Sequence, residues 1–411
     1  MAATIDSGPS TSNVLGNGVV AKKPELLQKI EGQGSRVCVA YLLSKDDGVL
    51  TISEDRSVRV WLKRESGQYW PSIVHYLPRI PICFFFDEKA SELLVGLASG
   101  DIVLLTITDD LNALSEKASA HVHEHVVTGV AFSKKTNMTY SCSKDKTIVW
   151  SGLETLNRVG SYILPGPAAA IQFDDDFVFI GDINGTITLL KIIGESANLI
   201  TKLSGHSAAI TDLAWDVSRQ QLFSASIDEI VVVWDIGGNR GQCFELSGHK
   251  TRITKLSFAK NANKLLSADC HGGFVCWEMD AKRRMTPEWK NSDKCEICDA
   301  PFLWNVKVMW DRKIMGVRRH HCRTCGISVC QDCCDNWTTF PTMGFEIATR
   351  ICKTCSNRMQ QLPEQYDLTP LAISNDLKYG IISMHIQEDM KKMVTIGYDR
   401  VIMLWDISSI L

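Results

Sequence analysis

The 411-residue sequence lacks any apolar run of the ~20 residues that a membrane-spanning helix requires. Its densest apolar stretch, ICFFF at 82–86, has the length of a single strand. Residues 1–24 also lack the basic segment followed by an apolar run that marks a secretory signal. We therefore expect no membrane span and no signal peptide, and we interpret residues 1–24 as a flexible, polar lead-in.

A strong net charge is absent too. The formal net charge is −3 and 22% of the residues are charged, which is ordinary for a soluble globular protein. Fifteen cysteines without a secretory signal indicate reduced thiols in the cytosol or nucleus, which are metal ligands or buried residues rather than disulfides. Residues 287–360 hold 11 Lys and Arg against 8 Asp and Glu, whereas the remainder holds 33 against 39. This basic, cysteine-rich segment on an acidic body favours an anionic partner for that segment alone.

A repeated pattern fills most of the chain. A turn Asp, alternating β-branched residues and a Trp occur in SEDRSVRVW (53–61), SIDEIVVVWD (226–235) and GYDRVIMLWD (397–406). Weaker copies are ASGDIVLL (98–105), SKDKTIVWS (143–151), DINGTITLL (182–190) and DCHGGFVCW (269–277). A period of about 40–45 residues, with Gly-His pairs upstream at 205–206 and 248–249, resembles the WD40 repeat. Seven copies imply an all-β, seven-bladed propeller.

The last spacing is much longer than the others. Trp277 and Trp405 are 128 residues apart, which is about 85 more than one period. We therefore expect a module inserted between blades six and seven. The predicted domains are blades one to six in 25–280, the inserted module in 281–362 and blade seven in 363–411. ELLQKIEG (25–32) would supply the outer strand of blade seven and close the ring, which removes exposed sheet edges.

The polar residues of the repeats are interpreted as structural. His206, Ser224, Asp228 and Trp234 match the hydrogen-bond network that holds a WD repeat together. Copy six has His271 where the pattern has Asp, so we expect an incomplete network there. The repeats contain no catalytic constellation, and we predict that the protein is not an enzyme.

The inserted module contains four Cys-x-x-Cys pairs. Tetrahedral Zn²⁺ takes four thiolates, so eight cysteines predict two closed structural sites without an open position for catalysis. Spacing alone does not show which pairs share an ion. The pairs are Cys295/Cys298, Cys322/Cys325, Cys330/Cys333 and Cys352/Cys355.

Arginines and histidines surround the second pair in MGVRRHHCRTCG (315–326). Residues 312–323 include five Lys or Arg and no Asp or Glu, which predicts an anionic ligand. RRHHCRTCG (318–326), together with RIC (350–352), resembles the signature of the FYVE zinc finger, a module that binds phosphatidylinositol 3-phosphate on endosomal membranes. The resemblance implies that cysteine pairs one and three bind one zinc ion, and that pairs two and four bind the other.

The resemblance also implies a headgroup pocket. Guanidinium groups bind a phosphomonoester by charge-assisted hydrogen bonds, and histidines donate to phosphate or hydroxyl oxygens. A Trp-x-x-Asp element of the family is matched by Trp289 and, one position late, by Asp293, which would bind a hydroxyl. The other implied pocket residues are Arg318, Arg319, His320, His321, Arg323 and Arg350.

A long loop precedes this basic cluster. Its end places Ile314, Met315 and Val317 beside the arginines, and the resemblance implies that this tip inserts into the bilayer. The added aromatic stretch PFLWNVKVMW (301–310) is expected to pack on the finger or on a blade.

The repeats and the finger together resemble the family of WD-repeat and FYVE-domain proteins. This implies a cytosolic adaptor that is peripheral on early endosomes, binds phosphatidylinositol 3-phosphate, and binds protein partners in trafficking or signalling through its propeller. One finger is a weak anchor, so a homodimer or a second contact would strengthen attachment.

Two other classes of zinc-binding protein share part of this pattern. A RING-like ubiquitin ligase also binds two zinc ions through eight ligands, but it normally uses a histidine ligand and needs no arginine-histidine cluster. A zinc ribbon that binds nucleic acid would need more phosphate contacts than this local cluster on an acidic body supplies. We therefore expect no nucleic-acid partner.

Overall fold

The computed structural model describes residues 22–411 apart from 32, 46, 238–242 and 314. Residues 1–21 of the predicted lead-in therefore lie outside the described residues. Seven of the eight sheets in the described chain contain the antiparallel blades, whose first strands pack side by side, and the first strand of blade one packs against that of blade seven. The prediction of an all-β, seven-bladed propeller is confirmed.

In blades one to five the four strands follow one another in the sequence. Blade one contains Val37–Leu42, Val49–Ser53, Ser57–Lys63 and Tyr69–Tyr76, and blade two contains Pro81–Asp87, Glu92–Leu97, Asp101–Ile107 and Leu114–His121. Blade three contains Val127–Ser133, Met138–Ser143, Thr147–Gly152 and Arg158–Ile163, and blade four contains Ala168–Asp174, Phe177–Asp182, Thr186–Ile193 and Ser196–Ser204. Blade five contains Ile210–Asp216, Gln221–Ser226, Ile230–Asp235 and Cys243–Ser247.

Blades six and seven are assembled from distant parts of the chain. Blade six has Ile253–Ala259, Lys264–Asp269 and Gly273–Glu278, and its outer strand is Ala372–Asp376. Blade seven has Ile381–Gln387, Lys392–Gly397 and Ile402–Asp406, and its outer strand is the N-terminal Glu25–Ile30. This last pairing joins the two ends of the propeller in one sheet.

The insertion point corrects one detail of the sequence analysis. The repeat spacing predicts a finger between blades six and seven, with residues 363–411 in blade seven. The chain instead leaves blade six after its third strand and returns to form its outer strand, where Trp277 lies opposite Ala372. Each sequence repeat ends with the third strand of a blade, and the outer strand of that blade comes afterwards. An insertion between two repeats therefore lies inside a blade, and the finger separates the third and outer strands of blade six.

The strands inside the blades are apolar on both faces because neighbouring blades cover them. All five residues of the strand Val49–Ser53 are buried, as are all six of Glu92–Leu97. Such strands have near-continuous hydrophobic sequences rather than alternating ones. The outer strands face solvent and alternate, as in Ser196–Ser204. The core therefore consists of apolar layers between adjacent blades.

The structural network predicted for copy five is present. His206 contacts the Asp228 carboxylate through Nδ1 at 2.9 Å and the Ser224 hydroxyl through Nε2 at 2.8 Å, and the Trp234 indole donates to the same hydroxyl at 2.8 Å. The expectation of an incomplete network in copy six was wrong. Asp269, two positions before His271, contacts the Nδ1 of His249 at 2.9 Å. The carboxylate therefore reaches its histidine from the preceding strand.

Within the part of the chain that the structure describes, both α-helices lie in the finger: α1 (Val306–Arg312) and α2 (Lys353–Gln361). Among the described residues no helix is long and apolar enough to span a bilayer. The finger strands are His320–His321, Ser328–Val329, Asn336–Phe340 and Phe345–Ile351, and its 3-10 turns are Gln331–Cys333, Pro341–Met343 and Pro363–Gln365.

The finger adds its second hairpin to the outer edge of blade five. Phe345 pairs with Ser247, whose N–H donates to the carbonyl of Gly344 at 2.8 Å. Gly344 has a φ of +86°, and a Cβ there would lie 1.8 Å from the carbonyl oxygen of Glu245. A glycine is therefore required for this close approach between finger and propeller.

A histidine lies at the seam where the first and last blades meet. The Nδ1 of His385 in blade seven accepts a hydrogen bond from the backbone N–H of Leu42 in blade one at 3.1 Å. Its ring stacks on Tyr41 with centroids 3.8 Å apart. Burial lowers the pKa of His385 to about 3. The ring is therefore neutral at pH 7, as the accepting Nδ1 requires.

The free energy of unfolding should fall with acidification because of His385. In the unfolded chain the ring gains a proton near pH 6.5, whereas in the folded chain it stays neutral down to about pH 3. This stability is fully present above pH 6.5, and about 2 kcal/mol of it is lost at pH 5. In His385→Asn the amide oxygen replaces Nδ1 as the acceptor but does not titrate. Urea unfolding at pH 8 and pH 5 should show the smaller pH dependence in this variant, and equal dependence would contradict the assignment.

Candidate functional site

Eight cysteine thiols form two separate clusters in the finger. In each cluster the sulfur atoms all lie within 4.8 Å of one another. Cys298 and Cys330 have sulfurs 3.6 Å apart, and Cys325 and Cys352 have sulfurs 3.9 Å apart. Tetrahedral ligands at ~2.3 Å from zinc would have sulfurs about 3.8 Å apart. The clusters are Cys295/Cys298/Cys330/Cys333 and Cys322/Cys325/Cys352/Cys355, which is the pairing that the resemblance implied.

Backbone N–H groups surround the thiols. The N–H of Cys352 donates to the sulfur of Cys322 at 3.3 Å, and the N–H of Cys355 donates to the sulfur of Cys352 at 3.4 Å. At Cys295, burial raises the pKa of the thiol, but N–H donors, including that of Cys298, outweigh it and hold the pKa at about 7. Such donors favour thiolates, the form that binds zinc. The prediction of two structural zinc ions is confirmed.

A basic cavity of about 370 Å³ opens beside the second cluster. One wall is the short strand His320–His321, which pairs with Ser328–Val329. The opposite wall is the strand Phe345–Ile351, and the N–H of Arg323 donates to the carbonyl of Arg350 at 3.2 Å, which joins the two walls. The lining residues are Trp289, Arg319, His320, His321, Arg323, Trp337, Thr349 and Arg350.

Each guanidinium around the cavity stacks on a tryptophan. Arg323 lies 4.6 Å from the ring of Trp289. Arg350 lies 4.7 Å from the ring of Trp337, which is opposite it in the hairpin register. Stacking of this kind restricts the guanidinium without neutralising its charge. Trp337 is 54% exposed, so it forms part of the rim of the cavity.

The third stack involves Arg319, which lies 4.6 Å from the ring of Trp304. Its Nη1 also donates to the amide oxygen of Asn291 at 3.1 Å. Among the described residues, no carboxylate lies within ion-pair distance of Arg319, Arg323 or Arg350. The cavity therefore holds uncompensated positive charge.

The two histidines are held differently. The Nε2 of His321 lies 3.2 Å from the carbonyl oxygen of Lys290, and its ring stacks on Trp289 at 4.6 Å. The Nε2 of His320 is buried and has no hydrogen-bond partner among the described residues. Burial first, and then neighbouring arginines, lower the pKa of both rings. Both rings line the cavity, and the Nε2 of His320 lies beneath its surface.

Five of the seven predicted headgroup residues line the cavity, namely Arg319, His320, His321, Arg323 and Arg350. Two do not. Arg318 is exposed outside the lining, and the carboxylate of Asp293 accepts the indole N–H of Trp304 at 3.1 Å. The one-residue displacement of Asp293 from the family motif directs its carboxylate to the long loop.

The predicted membrane tip is only partly exposed. Met315 is 86% exposed. Val317 instead packs on the finger core, and its N–H donates to the carbonyl of Pro301 at 2.9 Å. Val317 is half-buried, so it exposes less of its side chain than Met315 does. Ile314 lies outside the described residues.

The expectation for the added aromatic stretch was correct only in part. Phe302 is fully buried in the finger core, and the ring of Trp304 contacts it at a tilt, with the centroids 5.2 Å apart. Trp310 is 84% exposed, so it packs neither on the finger nor on a blade. Trp337 and Thr349, which line the cavity, were not found from the sequence, because their position depends on the register of the second hairpin.

Comparison with known proteins agrees with this structure. The family model for the FYVE zinc finger matches residues 287–361, and the model for the WD domain, G-beta repeat, matches 116–150 and 197–235. Among solved structures, the WD40 beta propeller domain of Doa1 superposes with a TM-score of 0.58 at 14% identity, covering 93% of this chain and 97% of that one. The molecule is thus a WD40 propeller that carries a FYVE zinc finger.

Relatives match over the whole chain. WD repeat and FYVE domain-containing protein 2 of Caenorhabditis elegans is 47% identical over 388 residues, which covers 94% of each chain. The human protein of the same name is 43% identical over 412 residues, covering 100% of each. A 75-residue part of the chain is 32% identical to vacuolar protein sorting-associated protein 27 of Yarrowia lipolytica, covering 18% of this chain and 11% of that protein. The chain belongs to the family of WD repeat and FYVE domain-containing proteins.

Proposed function

We propose that this protein is a peripheral membrane adaptor whose finger binds phosphatidylinositol 3-phosphate on early endosomes and whose propeller binds protein partners in trafficking or signalling. The observation that carries the proposal is the basic cavity, in which three stacked guanidiniums and two imidazoles surround about 370 Å³. The membership of the family and the similarity of the finger to a vacuolar sorting protein support the endosomal setting.

The chemistry of the cavity fits a phosphomonoester. Such a group carries about −1.5 to −2 charges at pH 7 and presents three acceptor oxygens. Arg319, Arg323 and Arg350 supply planar donors, and the imidazoles of His320 and His321 belong to the same lining. Because no carboxylate among residues 22–411 that the structure describes pairs with these arginines, the ligand would supply the missing counter-charge.

The propeller offers a broad surface for protein partners. Its side chains in the WD-repeat networks are used internally, as with His206 and His249, so we assign them no chemistry. In such an adaptor the finger would bind the membrane and the blades of the propeller would bind the protein partners.

Arginine-to-alanine substitutions test the proposal. Arg323→Ala and Arg350→Ala should each weaken binding to vesicles that contain phosphatidylinositol 3-phosphate by about one to two decades, because each removes a charged hydrogen bond of ~1.5–3 kcal/mol. The zinc content should stay at two ions per chain. Binding is measured by vesicle sedimentation across a panel of phosphoinositides.

Arg358→Ala is the matched control, since Arg358 is an exposed arginine of α2 outside the cavity lining. It should bind vesicles as the wild type does. If a variant lacking both Arg323 and Arg350 still bound phosphatidylinositol 3-phosphate vesicles and localised to endosomes, the cavity would not be the lipid site.

A further inference from the structure

An apolar cavity of about 500 Å³ lies between blades four and five. Blade four contributes Phe179 and Leu203 to its lining, and blade five contributes Trp215, whose ring centroid lies 4.7 Å from that of Phe179. Ligand pockets in proteins have volumes of about 300–1,000 Å³ and are lined mainly by apolar and aromatic side chains. The cavity therefore has the size and lining of a ligand pocket, and it shares no residue with the basic cavity of the finger.

One border of this cavity is the outer strand of blade four, Ser196–Ser204. With nine residues it is the longest outer strand of the described blades, and no other described strand pairs with its outer edge. An exposed edge presents backbone N–H and C=O groups with which an extended peptide can pair. Blade five already accepts a further strand in this way, since Phe345 of the finger pairs with Ser247 at its outer edge.

A bulge in the outer strand of blade four turns an additional side chain toward the cavity. Leu189 lies opposite Thr201 and Leu190 lies opposite Leu199, so Ile200 has no partner in the register. Successive side chains of a regular strand alternate between the two faces, and a bulge interrupts this alternation. Ile200 and Thr201 both line the cavity for this reason, although they are adjacent in the sequence. Ile200 is 51% exposed, so a peptide on the strand edge would cover it.

The charge of the lining is negative. Among the described residues that line the cavity there are two carboxylates, Asp174 and Asp235, and no Lys, Arg or His. The Asp174 carboxylate accepts the indole N–H of Trp215 at 3.0 Å, and Lys191 is engaged with the ring of Phe177 at 5.4 Å. A ligand that complements this lining combines a large apolar side chain with a positive charge beside it.

We propose that the cavity and the edge of Ser196–Ser204 bind an extended peptide segment of a partner protein, with a large apolar side chain in the cavity and a Lys or Arg beside Asp174. Backbone pairing along the edge provides affinity, and the cavity selects the side chain. The proposal rests on the proposed function, because it places the binding of protein partners by the propeller at one interface between blades. It does not depend on the lipid site.

A phage-displayed library of random peptides of nine residues, the length of the strand, tests the proposal on the full chain with its zinc. The selected sequences should share a large apolar residue with a Lys or Arg close to it. The strongest of these peptides, made synthetically, should slow amide hydrogen exchange in Ser196–Ser204, because its backbone pairs with that edge.

Ile200→Lys should weaken binding of this peptide about tenfold or more, because it replaces an apolar contact at the cavity by a cation that repels the cation of the peptide. Ile193→Lys is the matched control. Ile193 is 50% exposed on the same blade but lies outside the lining, so this variant should bind the peptide as the wild type does. Fluorescence anisotropy of the labelled peptide measures the affinities.

Asp174→Asn tests the charge separately from the apolar contact. The amide oxygen of Asn can still accept the indole N–H of Trp215, so the lining should keep its shape. The variant should bind the selected peptide about two- to fivefold more weakly, as expected for one partly exposed ion pair. A peptide with Gln in place of the Lys or Arg should bind the variant and the wild type equally.

The proposal would be overturned if the selected peptides shared no such pattern, or if Ile200→Lys and Ile193→Lys bound the peptide equally well. Light scattering that shows a wild-type dimer and an Ile200→Lys monomer would also overturn it, because a second copy would then cover the cavity. A peptide that protects a different blade would refute this site and leave the proposed function of the propeller standing. Both isoleucine variants should sediment with phosphatidylinositol 3-phosphate vesicles as the wild type does, so failure of the lipid proposal is measured independently.

Discussion

Replacing Cys355 by serine is expected to reduce the zinc content from two ions per chain to one and to unfold the finger. Cys355 is buried and shares its cluster with Cys322, Cys325 and Cys352, and a closed four-thiolate site tolerates no missing ligand. In small zinc modules the binding energy, about 10–16 kcal/mol, is also folding energy. The buried apolar residues of the finger pack around both clusters, so its core should open when one ion is lost. Elemental analysis and limited proteolysis measure the two effects.

Cys334 provides the control for this substitution. It is fully buried in the same core and adjoins Cys333, but it belongs to neither cluster. Cys334→Ser should therefore keep two zinc ions and a protease-resistant finger. If Cys334→Ser lost zinc, or if Cys355→Ser retained two ions and a folded finger, the ligand assignment would be wrong.

The zinc ligands and most of the cavity could be predicted from the sequence because their chemistry is local. A Cys-x-x-Cys spacing brings two thiols to one ion whatever the rest of the chain does. His320, His321 and Arg323 are nearly consecutive, so one short strand and the turn after it place them together. Arg350 comes from a distant strand, and only the resemblance to a known finger connected it with the others.

Features that depend on strand register were not visible in the sequence. Trp277 marks the end of a third strand, but Ala372–Asp376 carries no marker of its own, so the outer strand of blade six was not recognised. The stack of Trp337 on Arg350 depends on the pairing of the second hairpin. Asp269 takes the place of the carboxylate that the pattern puts in the turn, because the end of its strand lies next to His249. The sequence does not show that these two segments are neighbours in the fold.

The sequence also did not show which residues of the aromatic stretch 301–310 are buried. Phe302 and Trp310 have similar hydrophobic character, yet one is fully buried and the other 84% exposed. Phe302 is fixed by the pairing at the base of the loop, where it bridges to Val317. Trp310 lies on the far side of α1, where no part of the described chain covers it. The apolar composition predicts that both side chains pack against other apolar residues. Only the tertiary structure shows that Phe302 does so and that Trp310 does not.

Replacing residues 281–370 by a short Gly/Ser linker is expected to leave a soluble, folded propeller that no longer binds phosphatidylinositol 3-phosphate vesicles. The strands on either side of the finger are already neighbours, since Trp277 pairs with Ala372 and the N–H of Glu278 donates to Leu371 at 3.0 Å. A linker would turn them into an ordinary hairpin of blade six. Size-exclusion chromatography, thermal unfolding and vesicle sedimentation measure the outcome.

The contacts that excision removes decide whether this expectation holds. The finger covers the outer edge of blade five through Gly344 and Phe345, and the Glu346 carboxylate accepts the N–H of Leu371 at 2.9 Å. Other blades expose their outer strands, so an uncovered Cys243–Ser247 should be tolerated. Gly344→Ala disturbs this contact without removing the finger, because its Cβ would clash with Glu245 and its φ of +86° disfavours alanine in the turn. A monodisperse Gly344→Ala variant with an unchanged propeller transition would show that the blades do not need the finger. Aggregation of both variants, with the intact chain monodisperse, would show that the finger is part of the propeller's fold and that the two are not separate modules.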